Sequence, residues 1–129
     1  MEKPETTILH VEDDPSLQKL VRAVLADLRG YAVHSVPDGF RAIEHAAQSP
    51  PDLLLLDLHL PGISGTDTLR ALREIEALRR IPVVFLTAAR DLPTHIGLIQ
   101  LGAVSVLQKP FRPRQLVQAI DRALGRKED

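Results

Sequence analysis

The chain has no cysteine, no tryptophan, three phenylalanines and one tyrosine among its 129 residues. Without cysteine it forms no disulfide bond and has no thiol chemistry, which fits a cytoplasmic protein. The shortage of aromatic rings argues against a stacking platform for single-stranded nucleic acid. Carboxylates, hydroxyls, amines and imidazoles therefore remain as the groups that can carry chemistry.

Neither sign of charge is in excess, because 17 acidic residues balance 16 basic ones to give a net charge of -1. This balance offers no electrostatic attraction for nucleic acid or an anionic membrane. No apolar run approaches membrane-spanning length, and residues 1–5 lack the apolar core of a signal peptide. We therefore expect a cytoplasmic protein with no membrane insertion and no direct contact with nucleic acid.

The chain does contain a regular alternation of short apolar runs and amphipathic helical stripes. Predicted strands cover residues 6–11, 31–36, 53–56, 81–86 and 103–107. Predicted helices follow them: one from Asp14-Pro15 to Gly30, one over 40–48, one marked by Leu69, Leu72 and Ile75, one over about 92–101, and one from Pro113. Such alternation predicts a single domain with a parallel sheet that is covered on both faces.

Asp57 ends the most apolar of these runs, after four consecutive leucines, and a Pro61-Gly62 turn follows it. An apolar run bounded by turn residues is typical of a strand buried on both faces. In open α/β sheets, ligands bind at the carboxyl ends of strands, which is where Asp57 falls. Taken alone, however, Asp57 is equally explained as a turn residue.

Glu12, Asp13 and Asp14 follow the first predicted strand. Adjacent carboxylates repel one another, and a divalent cation such as Mg²⁺ removes that penalty with oxygen ligands. The alternative is a solvated acidic helix start, favoured by the helix dipole. For Asp14 the role of N-cap is sufficient, whereas for Glu12 and Asp13 the second carboxylate site at Asp57 favours a cation.

Thr87 and Lys109 end the fourth and fifth predicted strands. Separately, each is explained as an ordinary strand or turn residue. Together with the acids they bring a hydroxyl and an ammonium group to one edge of the sheet. A carboxylate can accept a phosphoryl group covalently, and phosphoryl transfer needs mainly positioning and charge stabilisation. The joint pattern therefore indicates phosphoryl chemistry.

The sequence resembles a response-regulator receiver domain, the phospho-acceptor module of two-component signalling, and is similar to chemotaxis regulators. The motifs that carry the resemblance are Ile8-Leu9-His10-Val11-Glu12-Asp13-Asp14, Asp52 to Gly65, Leu86-Thr87-Ala88, Leu101-Gly102-Ala103 and Lys109-Pro110-Phe111. The resemblance implies a flavodoxin-like, doubly wound sheet with strand order 2-1-3-4-5 and five helices. It covers residues 6–124, with flexible ends at 1–5 and 125–129.

The resemblance also implies a role for each site residue. Asp57 is the expected phospho-acceptor, and Thr87 and Lys109 are expected to contact the phosphoryl group. Magnesium, or manganese, is expected to bind Glu12, Asp13, Asp57 and the backbone carbonyl of His59. In this family the peptide bond before the proline that follows the lysine is usually cis.

Ala88, Val106 and Pro110 form the expected switch region. Val106 departs from the family pattern, because many members carry Tyr or Phe three residues before the lysine. We expect Val106 to stay in place while the response passes through backbone shifts around the fourth helix. That helix is predicted to be weak, since it contains Pro93 and Gly97.

The implied partners are a histidine kinase or histidine phosphotransfer protein, a downstream protein target, and a second copy through the fourth helix, fifth strand and fifth helix. Such a domain catalyses its own phosphorylation and is not a classical enzyme. The polar residues 125–129 favour a stand-alone regulator over a fragment with a DNA-binding or enzymatic output. Two alternatives stay open. One is a pseudo-receiver that acts as a constitutive interaction module; the other is a phosphotransferase or phosphatase, for which the loops are short.

Overall fold

The computed structural model describes residues 5–88 and 95–126, and in these ranges strands and helices alternate. The strands are β1 (Thr7–Val11), β2 (Ala32–Val36), β3 (Leu53–Asp57), β4 (Val83–Thr87) and β5 (Ser105–Gln108). The α-helices are α1 (Pro15–Arg29), α2 (Gly39–Gln48), α3 (Gly65–Arg73), α4 (His95–Gln100) and α5 (Pro113–Ala123). A short 3₁₀ helix, Glu76–Leu78, precedes β4.

All strand pairs are parallel, and the order across the sheet is β2-β1-β3-β4-β5. The predicted flavodoxin-like topology is therefore confirmed. Val11 is in register with Leu56, and Asp57 is in register with Leu86. As a result, the residues that end β1, β3 and β4 reach the same edge of the sheet.

The four leucines of β3 alternate between two hydrophobic cores. Leu54 and Leu56 pack in the core beneath α2 and α3, whereas Leu53 and Leu55 pack in the core beneath α1 and α5. All four have 0% exposure. Burying each leucine side chain contributes about 1.5–3 kcal/mol, so β3 is firmly held in the core and supports its terminal residue, Asp57.

The termini of α1 follow the sequence prediction. Asp14 is the N-cap, with its carboxylate 2.9 Å from the amide nitrogen of Ser16, and Gly30 ends the helix with φ 69°. The predicted apolar stripe is only partly buried, because Leu20 and Leu28 remain 45% and 53% exposed.

Several predicted boundaries are wrong. The third helix ends at Arg73, so Ile75 lies outside it and caps the 3₁₀ helix. The guanidinium group of Arg73 donates to the carbonyls of Leu78 and Ile81 at 2.6 and 2.7 Å, a pair of longer-range contacts that fixes this connection.

Strand boundaries also shift by one or two residues. β4 begins at Val83 because Pro82 has no amide hydrogen for the ladder. β5 covers residues 105–108 and not 103–107, so Ala103 lies before the strand and Gln108 inside it. The described part of the fourth helix is His95–Gln100; its predicted start near residue 92, with Pro93, lies outside the described residues.

Candidate functional site

Glu12, Asp13 and Asp57 form a cluster of carboxylates at the carboxyl edge of the sheet. One oxygen from each lies within 4.8 Å of the others. Glu12 and Asp57 are buried, at 1% and 6% exposure, while Asp13 is exposed to solvent. Three converging carboxylate oxygens with one open side fit a hard divalent cation that keeps several water ligands.

Asp57 is the last residue of β3, and each of its carboxylate oxygens has a hydrogen-bond donor. The backbone N–H of His59 donates to Oδ1 at 3.1 Å, and the ammonium group of Lys109 donates to Oδ2 at 3.1 Å. The backbone N–H of Leu58 continues the ladder by donating to Leu86 at 3.0 Å. These contacts hold the carboxylate in one orientation at the strand end.

Lys109 joins the two buried acids. It directly follows β5, and its peptide bond to Pro110 is cis, as the resemblance implied. Its backbone N–H donates to the Thr87 carbonyl at 2.6 Å. Its Nζ lies 3.0 Å from Glu12 Oε1 and 3.1 Å from Asp57 Oδ2. One ammonium group is thus shared between two carboxylates.

Among the residues that the structure describes, one ammonium group contacts the two buried carboxylates of this site. Burial, followed by the charge of Asp57, raises the pKa of Glu12 to about 7, although Lys109 acts in the opposite direction. Burial alone lowers the pKa of Lys109, but its hydrogen bond to Glu12 and the charge of Asp57 outweigh burial and raise it. The pKa of Glu12 is thus raised mainly by burial, whereas the pKa of Lys109 is raised by the two carboxylates that share its ammonium group.

The remaining predicted site and switch residues lie at or near the ends of β4 and β5. Thr87 ends β4 and is 1% exposed, one residue beyond the register partner of Asp57. Ala88 and Val106 are half-buried, and Val106 packs against the core beneath α2 and α3. Pro110 is exposed next to Lys109. The structure therefore places Glu12, Asp13, Asp57, Thr87 and Lys109 at one edge of the sheet. Val106 does not reach this edge, because it lies within β5, in register with Phe85.

Sequence reasoning missed Gly65, the first residue of α3. A Cβ atom at this position would lie 2.3 Å from the carbonyl oxygen of Asp57 and 3.0 Å from Leu58 Cα. The helix consequently approaches the backbone at the end of β3 more closely than any side chain at this position allows. The only signal for this contact in the sequence was that a second glycine, Gly65, follows Gly62 within three residues.

His10 was also missed as an unusual residue. It has 0% exposure, and both ring nitrogens lack a hydrogen-bond partner. Burial, followed by the positive charges of Lys109 and Arg22, lowers its pKa to about 3. The imidazole is therefore neutral at physiological pH and behaves as a core side chain.

Comparison with known proteins gives the family. Residues 8–121 match the family model of the response regulator receiver domain. The chain belongs to this family, and it is a receiver domain of the two-component response regulators. Receiver domains interact with histidine kinases and are generally not classical enzymes. Among the described residues, no helix is both long and apolar enough to cross a membrane.

One relative is the DNA-binding response regulator MtrA of Mycolicibacterium smegmatis, which is 38% identical over all 129 residues of the chain and 55% of its own length. The chain thus spans about half the length of the curated relatives that it matches. The DNA-binding description of MtrA conflicts in part with the expectation of a protein that makes no contact with nucleic acid.

Two solved structures share the fold. A response regulator from Chloroflexus aurantiacus J-10-fl is 32% identical, with a TM-score of 0.88 over 95% of this chain and 100% of its own. The receiver domain of sensor histidine kinase PA1611 from Pseudomonas aeruginosa PAO1 is 34% identical, with a TM-score of 0.84 over 95% of this chain and 99% of its own. The PA1611 structure holds a magnesium ion coordinated in its active-site cleft.

Proposed function

We propose that this receiver domain accepts a phosphoryl group on Asp57 from the phosphohistidine of a histidine kinase or phosphotransfer protein, with Mg²⁺ as cofactor. The observation that carries the proposal is the shared ammonium group of Lys109, which lies 3.0 Å from Glu12 and 3.1 Å from Asp57 in a cluster of three carboxylates. The phosphorylated form then binds a downstream protein more tightly than the unphosphorylated form does.

The chemistry needs few protein groups. A carboxylate oxygen of Asp57 attacks phosphorus, the O–P bond forms, the P–N bond to the donor imidazole breaks, and that imidazole leaves with the electron pair. Lys109, which already contacts Asp57, pairs with a phosphoryl oxygen, and the hydroxyl of Thr87 donates to another. When bound by Glu12, Asp13, Asp57 and the His59 carbonyl, Mg²⁺ supplies charge neutralisation.

A groove beside the cluster fits the approach of a phosphodonor protein. It has a volume of about 350 Å³ and lies between the start of α1 and the segment after β5. Its lining includes Leu17, Leu20, Pro110 and Phe111 as well as Lys109. Because Lys109 belongs to both the groove and the site, a helix seated there places its phosphohistidine near Asp57.

A second apolar surface lies away from the site. Ile99, Leu101 and Val104, between α4 and β5, are 49%, 38% and 51% exposed. We assign the downstream contact, or a homodimer contact, to this surface. Sedimentation with and without acetyl phosphate tests the dimer, which should form only after phosphorylation and be weakened by Ile99→Asp.

The central test is intact mass after incubation with acetyl phosphate. The wild type should gain one phosphoryl group in the presence of Mg²⁺. The gain should be lost in Asp57→Asn and in the presence of chelator. A wild type that gains no mass from any small donor would refute the proposal and favour a constitutive interaction module.

A further inference from the structure

Phe40 is an aromatic ring on the protein surface, in the first turn of α2. It is 61% exposed, more than any other large exposed hydrophobic side chain among the described residues. The ring nevertheless has a defined contact. A Cβ atom on Gly62 would lie 3.0 Å from Phe40 Cε2 and 3.6 Å from Cδ2, so the ring covers this glycine.

Gly62 lies in the loop 58–64, which joins Asp57 to α3. The ends of this loop are held by backbone hydrogen bonds, because the Leu58 N–H donates to Leu86 and the Gly65 N–H donates to Leu58, both at 3.0 Å. The middle of the loop turns through Gly62, whose φ is +81°. Phe40 therefore contacts the loop at Gly62, where the backbone of the loop is least constrained.

The residue before Phe40 fixes this arrangement. A Cβ atom on Gly39 would lie 2.1 Å from Thr68 Oγ1 and 2.6 Å from Ile63 Cγ1, so the start of α2 presses directly on the loop and on α3. Asp38 caps α2 by accepting from the Arg41 N–H at 2.8 Å. The ring of Phe40 is thus held over Gly62 by a fixed helix start.

We infer that Phe40 is a positioning residue that braces the loop 58–64, so that the carbonyl of His59 stays where the metal needs a ligand. This inference rests on the proposed function. Because the ring is mostly exposed, its truncation leaves no core cavity and should change global stability little. Its effect should fall on the loop and on the affinity for Mg²⁺.

The test is a titration of the unphosphorylated protein with Mg²⁺. Binding is measured by calorimetry and by the shift of the His59 amide resonance. Phe40→Ala should raise the Mg²⁺ dissociation constant by on the order of tenfold, as changes around a metal ligand commonly do. Phe40→Leu should recover part of the affinity. Leu28→Ala is the matched control, because Leu28 is also exposed, at 53%, but lies near the end of α1.

Phosphorylation by acetyl phosphate gives a second readout. The Phe40→Ala protein should be phosphorylated more slowly than the wild type at low Mg²⁺, and its phosphorylation rate should approach that of the wild type at saturating Mg²⁺. Unchanged Mg²⁺ affinity in a folded Phe40→Ala protein would overturn the inference, even if transfer from a protein donor were slower, since Phe40 would then be a docking residue. A wild type that binds no Mg²⁺ would overturn the proposed function itself.

Discussion

Gly65→Ala should slow phosphorylation strongly while the protein still folds. The added Cβ atom would lie 2.3 Å from the Asp57 carbonyl oxygen, whereas ordinary contacts of this kind are about 3.4 Å or longer. Either α3 or the backbone of Asp57 must therefore move by about 1 Å. Overpacking of this size costs about 1–3 kcal/mol of folding free energy. A misplacement of that order near reacting atoms can reduce the rate by about 100-fold.

The assay compares phosphorylation rates with acetyl phosphate at saturating Mg²⁺, together with unfolding in urea. The matched control is Gly97→Ala in α4, where a Cβ atom would meet no atom within 4 Å and the backbone needs no positive φ. This control should leave the phosphorylation rate unchanged and stabilise the helix by up to about 1 kcal/mol.

The result that would refute this reasoning is a folded Gly65→Ala protein whose phosphorylation rate equals that of the wild type. The close approach of α3 would then be incidental to the position of Asp57. A loss of rate in the Gly97→Ala control would contradict the argument in another way, because it would show that α4 affects the site without any steric contact.

Three further predictions concern titratable groups in the protein interior. The pKa of His10 is lowered to about 3, so the folded state binds fewer protons than the unfolded state below pH ~6.5. Lowering the pH from 8 to 5 in chelator should therefore reduce the unfolding free energy of the wild type by about 2 kcal/mol more than that of His10→Val. Urea unfolding at each pH measures this difference. Tyr31→Phe removes the 2.7 Å hydrogen bond to the buried Asp121 and should cost about 1.5–3 kcal/mol in unfolding free energy, with no change in phosphorylation because it lies at the opposite edge of the sheet. Lys109→Met should raise the pKa of Glu12 further, seen by carboxyl ¹³C shifts, and should nearly abolish phosphorylation; an unchanged pKa would show that the ammonium contact is energetically weak.

The features that the sequence predicted well depend on short stretches of chain. Asp14 and Gly30 mark the ends of α1 because capping uses only neighbouring backbone groups. The strand before Asp57 was predicted because four leucines permit burial on both faces. The order of strands and the convergence of acids at one edge then follow from the rules for parallel sheets and from the resemblance.

The features that were missed depend on residues that are distant in sequence. Ile75 continued a helical pattern, but Arg73 binds two carbonyls beyond the helix and redirects the chain. Phe40 read as an ordinary first-turn residue, and only the folded structure shows its ring over Gly62. His10 lay inside an apolar strand, where no local pattern reveals whether a buried imidazole finds a hydrogen-bond partner.

The charge at the site explains why phosphorylation should depend on a divalent cation. Three carboxylates converge, and a single described ammonium group contacts two of them. Transfer to Asp57 would replace its carboxylate charge with a phosphoryl charge of about −2, which increases the repulsion from Glu12. The raised pKa of Glu12, about 7, shows that burial and this crowding already oppose its ionisation before any phosphoryl group arrives. Lys109 alone cannot offset the added charge, because its ammonium group is already shared. A divalent cation held by the same carboxylates removes the repulsion, so chelation should stop phosphorylation without unfolding the protein.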